Sequence, residues 1–290
     1  MPQVLILGGR GMLGKMIDRI LSESDIITVK RTSRCNAYDD FYFEVEDGTE
    51  VLRQILMCHG PFDYVINCIG ILRDAVDEED SKSVRRAIIV NSLFPHDLAT
   101  LAHETGAKVI QVSTDGVFSA SSGICYEDSP VNCGDIYGKT KKLGEVIAPD
   151  FLILRCSIVG PDPIWKKGFL EWFLSQPQGA EVFGYTDHKW NGVTTLQFAN
   201  LCRTLIEKGQ FEEVRREGAI HHFCPNEVVS KYELLQLFKN VFKTDVMVKP
   251  SPCEGYSVDR VLDTRYFALK NLYGFSKPME NAIEELLTKM

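Results

Sequence analysis

The chain has 290 residues, 44% of them hydrophobic and 25% charged, with a formal net charge of −8 at pH 7. This profile fits a globular protein of one large or two smaller domains with a sizeable core, and the acidity argues against general nucleic-acid binding. No apolar run approaches the roughly 18–20 residues of a membrane span. Met1-Pro2-Gln3 leads straight into a strand-like run without a basic region and leader, so a cytoplasmic protein is expected.

Val4–Leu7 reads as a buried strand and the segment from Gly11 to Leu21 as a helix. Further strands are predicted at Ile26–Lys30, Tyr64–Asn67, Val109–Ser113 and Phe151–Arg155, with helical spacing over Val84–Thr105 and Ile136–Ile147. Alternation of this kind implies an α/β fold, a doubly wound parallel sheet of Rossmann type with helices on both faces. After about Ser157 the pattern changes. Pro161, Pro163 and Pro177 interrupt it, aromatics cluster in Phe169–Phe173, and short helices (Thr195–Lys208, Lys231–Phe242, Met279–Lys289) mix with short strand candidates. This predicts a smaller mixed α/β substrate domain, with the cleft between the two parts. The nine cysteines are scattered with no Cys-x-x-Cys pair, which indicates reduced, mostly buried thiols and no zinc site.

Gly8-Gly9-Arg10-Gly11-Met12-Leu13-Gly14 follows the first strand and opens the first helix. Glycine there permits a tight turn and close approach of a pyrophosphate, to which the helix start (Met12, Leu13) offers N–H groups. Past the second strand, Lys30-Arg31-Thr32-Ser33-Arg34 stands where an NAD enzyme usually places a carboxylate. Arg31, Ser33 and Arg34, with Arg10 approaching from the glycine turn, suit the 2′-phosphate of NADP(H). Residues 1–157 are thus expected to form the NADP(H)-binding Rossmann domain, completed by part of 191–215, and 158–290 mainly the substrate-binding domain.

Val109–Val112 runs into Ser113-Thr114-Asp115, and Tyr137-Gly-Lys-Thr-Lys141 opens the following helix. Residues four apart share a helix face, so an ammonium can sit beneath the phenol and lower its pKa from about 10. Thr114, Tyr137 and Lys141 therefore make a carbonyl-reduction set. Thr114 polarises a ketone, Tyr137 delivers the proton, and Lys141 lowers the tyrosine pKa and holds the nicotinamide ribose.

These motifs, with Val65-Ile-Asn-Cys68-Ile69-Gly70, Asn91-Ser-Leu-Phe-Pro95, Ser113-Thr-Asp-Gly-Val117-Phe118, Ser129-Pro130, Tyr137–Glu145 and Leu154–Gly160, span nearly the whole chain. Together they resemble the extended short-chain dehydrogenase/reductase superfamily, and within it the dTDP-4-dehydrorhamnose reductase group of nucleotide-sugar reductases. Looser matches continue in Asn191-Gly-Val-Thr-Thr195, Gly218–Phe223, Ser230–Leu234 and Arg260. The resemblance implies NADPH-dependent reduction of the 4-keto group of a nucleotide-linked sugar, commonly 6-deoxy. It implies cofactor contacts at Cys68, Ile69, Gly70, Asn91 and Ser113. Substrate contacts are implied at Ser113, Thr114, Val117, Asn191, Thr195 and Arg260, with Thr114 rather than Ser113 the substrate-facing hydroxyl. Three departures, Gly116 for the family's usual tyrosine, Thr194 for a proline and Val182–Trp190 in place of an acidic stretch, fall around the sugar and its nucleotide.

Lys166 (in Trp165-Lys-Lys167) and Trp190 (in His188-Lys-Trp190) set cations beside aromatics, which suits a pyrophosphate and a stacked base as well as interface packing. His221-His222 has no third ligand at metal spacing and reads as structural, so no metal is expected. Nucleic-acid and membrane partners are not expected, and a homodimer is left open. Two other readings stand beside the reductase: a non-catalytic dinucleotide-binding regulatory subunit of the same fold, and an epimerase or dehydratase of the same superfamily. The dehydratase is disfavoured because Asp115 is followed by Gly116 rather than Glu.

Overall fold

The computed structural model describes residues 1–35, 40–255 and 257–290. Its centre is a sheet of seven strands, all parallel, whose apolar residues are covered on both faces. In chain order the first five are β1 (Gln3–Leu7), β2 (Thr28–Ser33), β3 (Asp40–Tyr42), β4 (Tyr64–Asn67) and β5 (Lys108–Thr114), followed by Phe151–Cys156 and Ile220–His222. Across the sheet they run Ile220–His222, Phe151–Cys156, β5, β4, β1, β2, β3. The order reverses between β1 and β4, and ligands in such sheets bind beyond the carboxyl ends of the strands at that point.

The helices follow from sequence signals. α1 (Met12–Ser22) and α2 (Glu50–Cys58) precede α3 (Ser81–Ile88), which Asp80 caps by accepting from the Lys82 and Ser83 N–H groups. α4 (Phe94–Thr105) ends at Gly106, whose φ of 73° suits glycine. α3 and α4 are joined by a π turn at Ile89–Leu93, so 81–105 is helical throughout. Pro95 cannot donate to the Asn91 carbonyl four residues back, and the backbone widens there. α5 (Ile136–Leu143) stops earlier than the spacing to Ile147 suggests, because Gly144 packs its Cα against the Asn91 carbonyl, where a side chain would collide. The second strand is likewise shifted from the predicted 26–30, since Ile27 turns into the core while pairing with β1 begins at Thr28.

One apolar cluster joins β1 and α1 to the helices Thr195–Glu207 and Lys231–Phe242. A second packs α2 and α4 on the opposite face of the sheet. Thr195–Glu207 lies on α1 and begins with a capping box between Thr194 and Gln197. Each fully buried Phe or Leu here contributes roughly 1.5–3 kcal/mol of transfer free energy. Beyond the sheet, the described residues form four small strand pairs. One pairs Gly123–Cys125 with Arg260–Leu262, another Lys189–Trp190 with Val229–Ser230. All nine cysteines are free thiols, but only Cys125, Cys156, Cys202 and Cys224 are buried. Cys35 and Cys58 are exposed, contrary to the expectation of mostly buried thiols. Among the described residues, no helix is long and apolar enough to cross a membrane.

Candidate active site

The glycine turn is built by contacts that exclude side chains. Gly8 has φ 76°, the Gly11 N–H donates to the Gly8 carbonyl (3.0 Å), and a Cβ at Gly14 would collide with that carbonyl. α1 starts at Gly11 with no side-chain cap and no acidic residue in its first turn, leaving its positive end unmatched. Met12 and Leu13 form that first turn. Leu13 is buried, and the Met12 thioether stands near Gly168. The loop after β4 lies alongside, since a Cβ at Gly8 would sit 3.1 Å from the Ile69 side chain and 3.5 Å from the Cys68 carbonyl carbon. The switch point of the sheet thus carries two apposed loops over a helix start, a cradle that fits a dinucleotide pyrophosphate.

The basic residues near this cradle are not free. Asp40, at the start of β3, accepts from Arg10 Nε (2.7 Å) and from Arg31 Nε, and Arg31 Nη1 also reaches both oxygens of Asp18 (3.0 and 2.9 Å). Burial pushes Asp40 upward, but the two guanidinium groups hold it below the usual carboxylate range. Arg10 and Arg31 therefore converge as predicted by position, but around a carboxylate. Asp40 escaped the sequence reading because it lies beyond the basic run, on a strand of only three residues. The Ser33 hydroxyl is turned into its own loop, donating to the Cys35 carbonyl (2.6 Å), and Arg34 extends towards Glu44 (3.6 Å).

Thr114 ends β5, and Tyr137 opens α5, which Asp135 caps by accepting from the Gly138 N–H (2.7 Å). Tyr137 and Thr114 stand together across Gly116, which makes the approach feasible: a Cβ there would stand 3.1 Å from Tyr137 Cε1 and 3.2 Å from Thr114 Oγ1. The Thr114 hydroxyl itself donates to Asp115 Oδ1 (3.2 Å). Burial pushes the phenol pKa up to about 12. The neighbouring Thr114 hydroxyl and the Arg73 guanidinium pull it down, while Asp115 pushes it further up. Arg73 lies 5.7 Å from the Tyr137 ring centre and is anchored to Asp135 (2.7 Å). The predicted pull from Lys141 is corrected here. Its buried ammonium donates instead to the Val112 carbonyl (2.9 Å), and burial pulls its own pKa down to about 8.

The remaining positions divide in two. Gly70, Asn91 and Lys141 come together, since a Cβ at Gly70 would lie 3.5 Å from Asn91 Oδ1 and 3.9 Å from Lys141 Nζ. Asn91 holds the loop after β4, accepting from the Ile71 N–H (2.8 Å) and donating to its carbonyl (3.0 Å). The Cys68 thiol is pushed up to about 12 by burial. The Ser113 hydroxyl points behind the sheet and donates to Glu145 Oε1 (2.8 Å). Glu145 is paired bidentately with fully buried Arg155 (2.7 Å to each oxygen) and with Lys142 (2.9 Å).

On the substrate side, Arg260 reaches Asp115 (3.2 Å) and the Phe118 carbonyl (3.0 Å), and the Trp190 indole donates to Ser157 (2.8 Å). The other expected substrate contacts are held as follows. Val117 is fully buried in a small apolar cluster with Phe118, Cys125, Cys224 and Leu262. Thr195 is fully buried against Gly160. Asn191 staples Leu262 through both backbone groups (2.7 and 3.2 Å). Lys166 is exposed, near Glu171 (3.5 Å). His222 is a fully buried strand residue that bonds the Asp263 carbonyl (2.8 Å), and no cluster able to hold a metal occurs among the described residues.

Residues 2–261 match the model of the RmlD substrate binding domain family. The chain belongs to that family. A dTDP-4-dehydrorhamnose reductase of Streptomyces griseus is 34% identical over 145 residues, covering 50% of this chain and 44% of that protein. The chain thus matches under half the length of that relative. The methionine adenosyltransferase 2 subunit beta of Danio rerio is 23% identical over 257 residues, covering 83% of this chain and 74% of that protein. Among solved structures, the dTDP-4-dehydrorhamnose reductase of Bacillus anthracis in complex with NADP superposes with a TM-score of 0.78 at 17% identity, covering all of both chains. At that identity the likeness is one of fold.

Proposed function

We propose that the chain reduces the 4-keto group of a nucleotide-linked sugar, 6-deoxy in the best-fitting case, with NADPH. The observation that carries this reading is the apposition of Thr114 and Tyr137 across Gly116 at the carboxyl end of β5, with Lys141 buried one helical turn further on. NADPH bound along the glycine cradle would supply the hydride. Gly8, Gly11 and Gly14 would admit the pyrophosphate, and Arg10 and Arg31 keep further guanidinium donors beside Asp40 for the adenosine end. Thr114 would hold the substrate carbonyl oxygen and Tyr137 would give it a proton, for which an acid worth roughly 10²–10⁴-fold is typical. Lys141, whose ammonium is already desolvated, would be drawn towards the phenolate and the ribose as the proton leaves.

The reading is tested with NADPH and a panel of nucleotide-linked 4-keto sugars, following the nicotinamide absorbance. Tyr137→Phe should remove most turnover and leave cofactor affinity nearly unchanged; full activity in that variant refutes the proton donor. A regulatory subunit of the same fold is the second reading, favoured by the likeness to the Danio rerio subunit. Tight NADPH binding without turnover of any sugar in the panel would decide for it.

A further inference from the structure

Lys231 opens the helix Lys231–Phe242, directly after its Ser230 cap. The ammonium stands 4.7 Å from the ring centre of Phe169 and 4.7 Å from that of Trp190. Neither face offers an acceptor lone pair, and among the described residues the ammonium makes no hydrogen bond or ion pair. Its charge is nonetheless felt by the site. Burial pulls the Lys231 pKa down to about 8, with Asp115 opposing and Arg260 reinforcing that shift. Asp115 is the residue after Thr114 and is itself matched by Arg260 (3.2 Å). The side of the cleft beyond the catalytic hydroxyl thus holds two cations and one carboxylate, with the surplus positive charge on Lys231.

A half-buried cation between two π faces gains roughly 0.5–2 kcal/mol from them and gives up hydrogen bonds to water. Such an arrangement is costly without an acceptor arriving from outside. We propose that Lys231 is a specificity-determining residue that receives an anionic oxygen of the substrate, with the Trp190 and Phe169 faces fixing its ammonium. This deepens the reductase reading, since it takes the cleft as the seat of a nucleotide-linked sugar. The oxygen belongs either to the diphosphate bridge or to a carboxylate on the sugar ring, and both present the same charge-assisted acceptor.

The test is calorimetric titration of the full chain at low salt with UDP, dTDP, UDP-glucose and UDP-glucuronate, comparing wild type with Lys231→Met and Lys231→Gln. Circular dichroism and thermal unfolding of both variants confirm that each retains the fold. Loss of one charge-assisted hydrogen bond predicts binding weakened roughly tenfold to hundredfold in both variants. A loss of equal size for all four probes assigns the oxygen to the diphosphate; a loss confined to UDP-glucuronate assigns it to the sugar carboxylate. Wild-type affinity in folded variants for every probe, or no binding of any probe by the wild type, overturns the inference. Because no turnover is read, the two proposals fail separately. Probe binding through Lys231 in a protein that turns over none of the 4-keto sugars sinks the reductase reading alone, and unchanged affinity in an active enzyme sinks this one alone.

Discussion

Replacing Lys141 by methionine should make the protein more stable at neutral pH while abolishing reduction. The Lys141 pKa falls from 10.5 to about 8 because burial disfavours its charged form. At 1.36 kcal/mol per unit this corresponds to about 3 kcal/mol held against folding. Methionine fills similar space without the charge. The bond to Val112 O is lost, a cost of about 1 kcal/mol. That carbonyl keeps a second donor in Gln111 Nε2 (3.1 Å), so no buried acceptor is stranded. The net expectation is about 2 kcal/mol of added stability at pH 7, roughly 4 °C in Tm for a chain of this size. The sign is fixed by linkage. Because the folded pKa lies below the unfolded one, the wild type carries the full penalty below pH 8 and sheds it between about 8 and 10.5. The advantage of Lys141→Met should therefore vanish over that window. Urea unfolding at pH 7 and pH 10 reads both quantities. A variant less stable than wild type at pH 7, or a gap that does not change with pH, refutes the desolvation account.

Three further outcomes are expected. Gly14→Ala drives a methyl into the Gly8 carbonyl, so it should cost about 1–3 kcal/mol by chemical denaturation and weaken NADPH binding measured by fluorescence titration. Glu145→Gln breaks the buried pair with Arg155 and should destabilise by about 3–5 kcal/mol at pH 7. Since Arg155 and Lys142 hold the Glu145 pKa below its ordinary 4.5 against the opposing effect of burial, the wild-type advantage is present above pH 4.5 and lost as pH falls through the folded value, so acid-unfolding curves of the two proteins should converge there. Arg31→Ala should raise the Kd for NADPH more than that for NADH. Equal effects on both cofactors count against a role for Arg31 at the 2′-phosphate.

Much of the sheet was legible because its strands are short apolar runs set off by turn residues. Tyr64–Asn67 and the helix Lys231–Phe242 fall at the predicted limits. β3 and α2 were not legible: a three-residue strand carries no periodicity, and Glu50–Cys58 mixes polar residues into a short span. Ile220–His222 was hidden for a different reason, since its neighbour Phe151–Cys156 lies far back in the chain and local spacing does not record that pairing. In the site, Thr114, Tyr137 and Lys141 could be found because helix and strand geometry relate them to their own sequence. Asp40, Arg73 and Lys231 could not, because each earns its place only through partners brought near by tertiary structure. Asn191 shows another side of this: its motif gave no sign that the side chain would bridge to the Leu262 backbone, 71 residues on.

The pairing of Ile220–His222 with Phe151–Cys156 has a consequence for synthesis on the ribosome. Until residue 222 clears the exit tunnel, the strand at Phe151–Cys156, wholly apolar except for Arg155, presents an open edge to other nascent chains. Most of the polypeptide must therefore emerge before that edge is sealed. Amino-terminal fragments ending short of it should be recovered as aggregates or chaperone-bound species rather than as an independent nucleotide-binding unit.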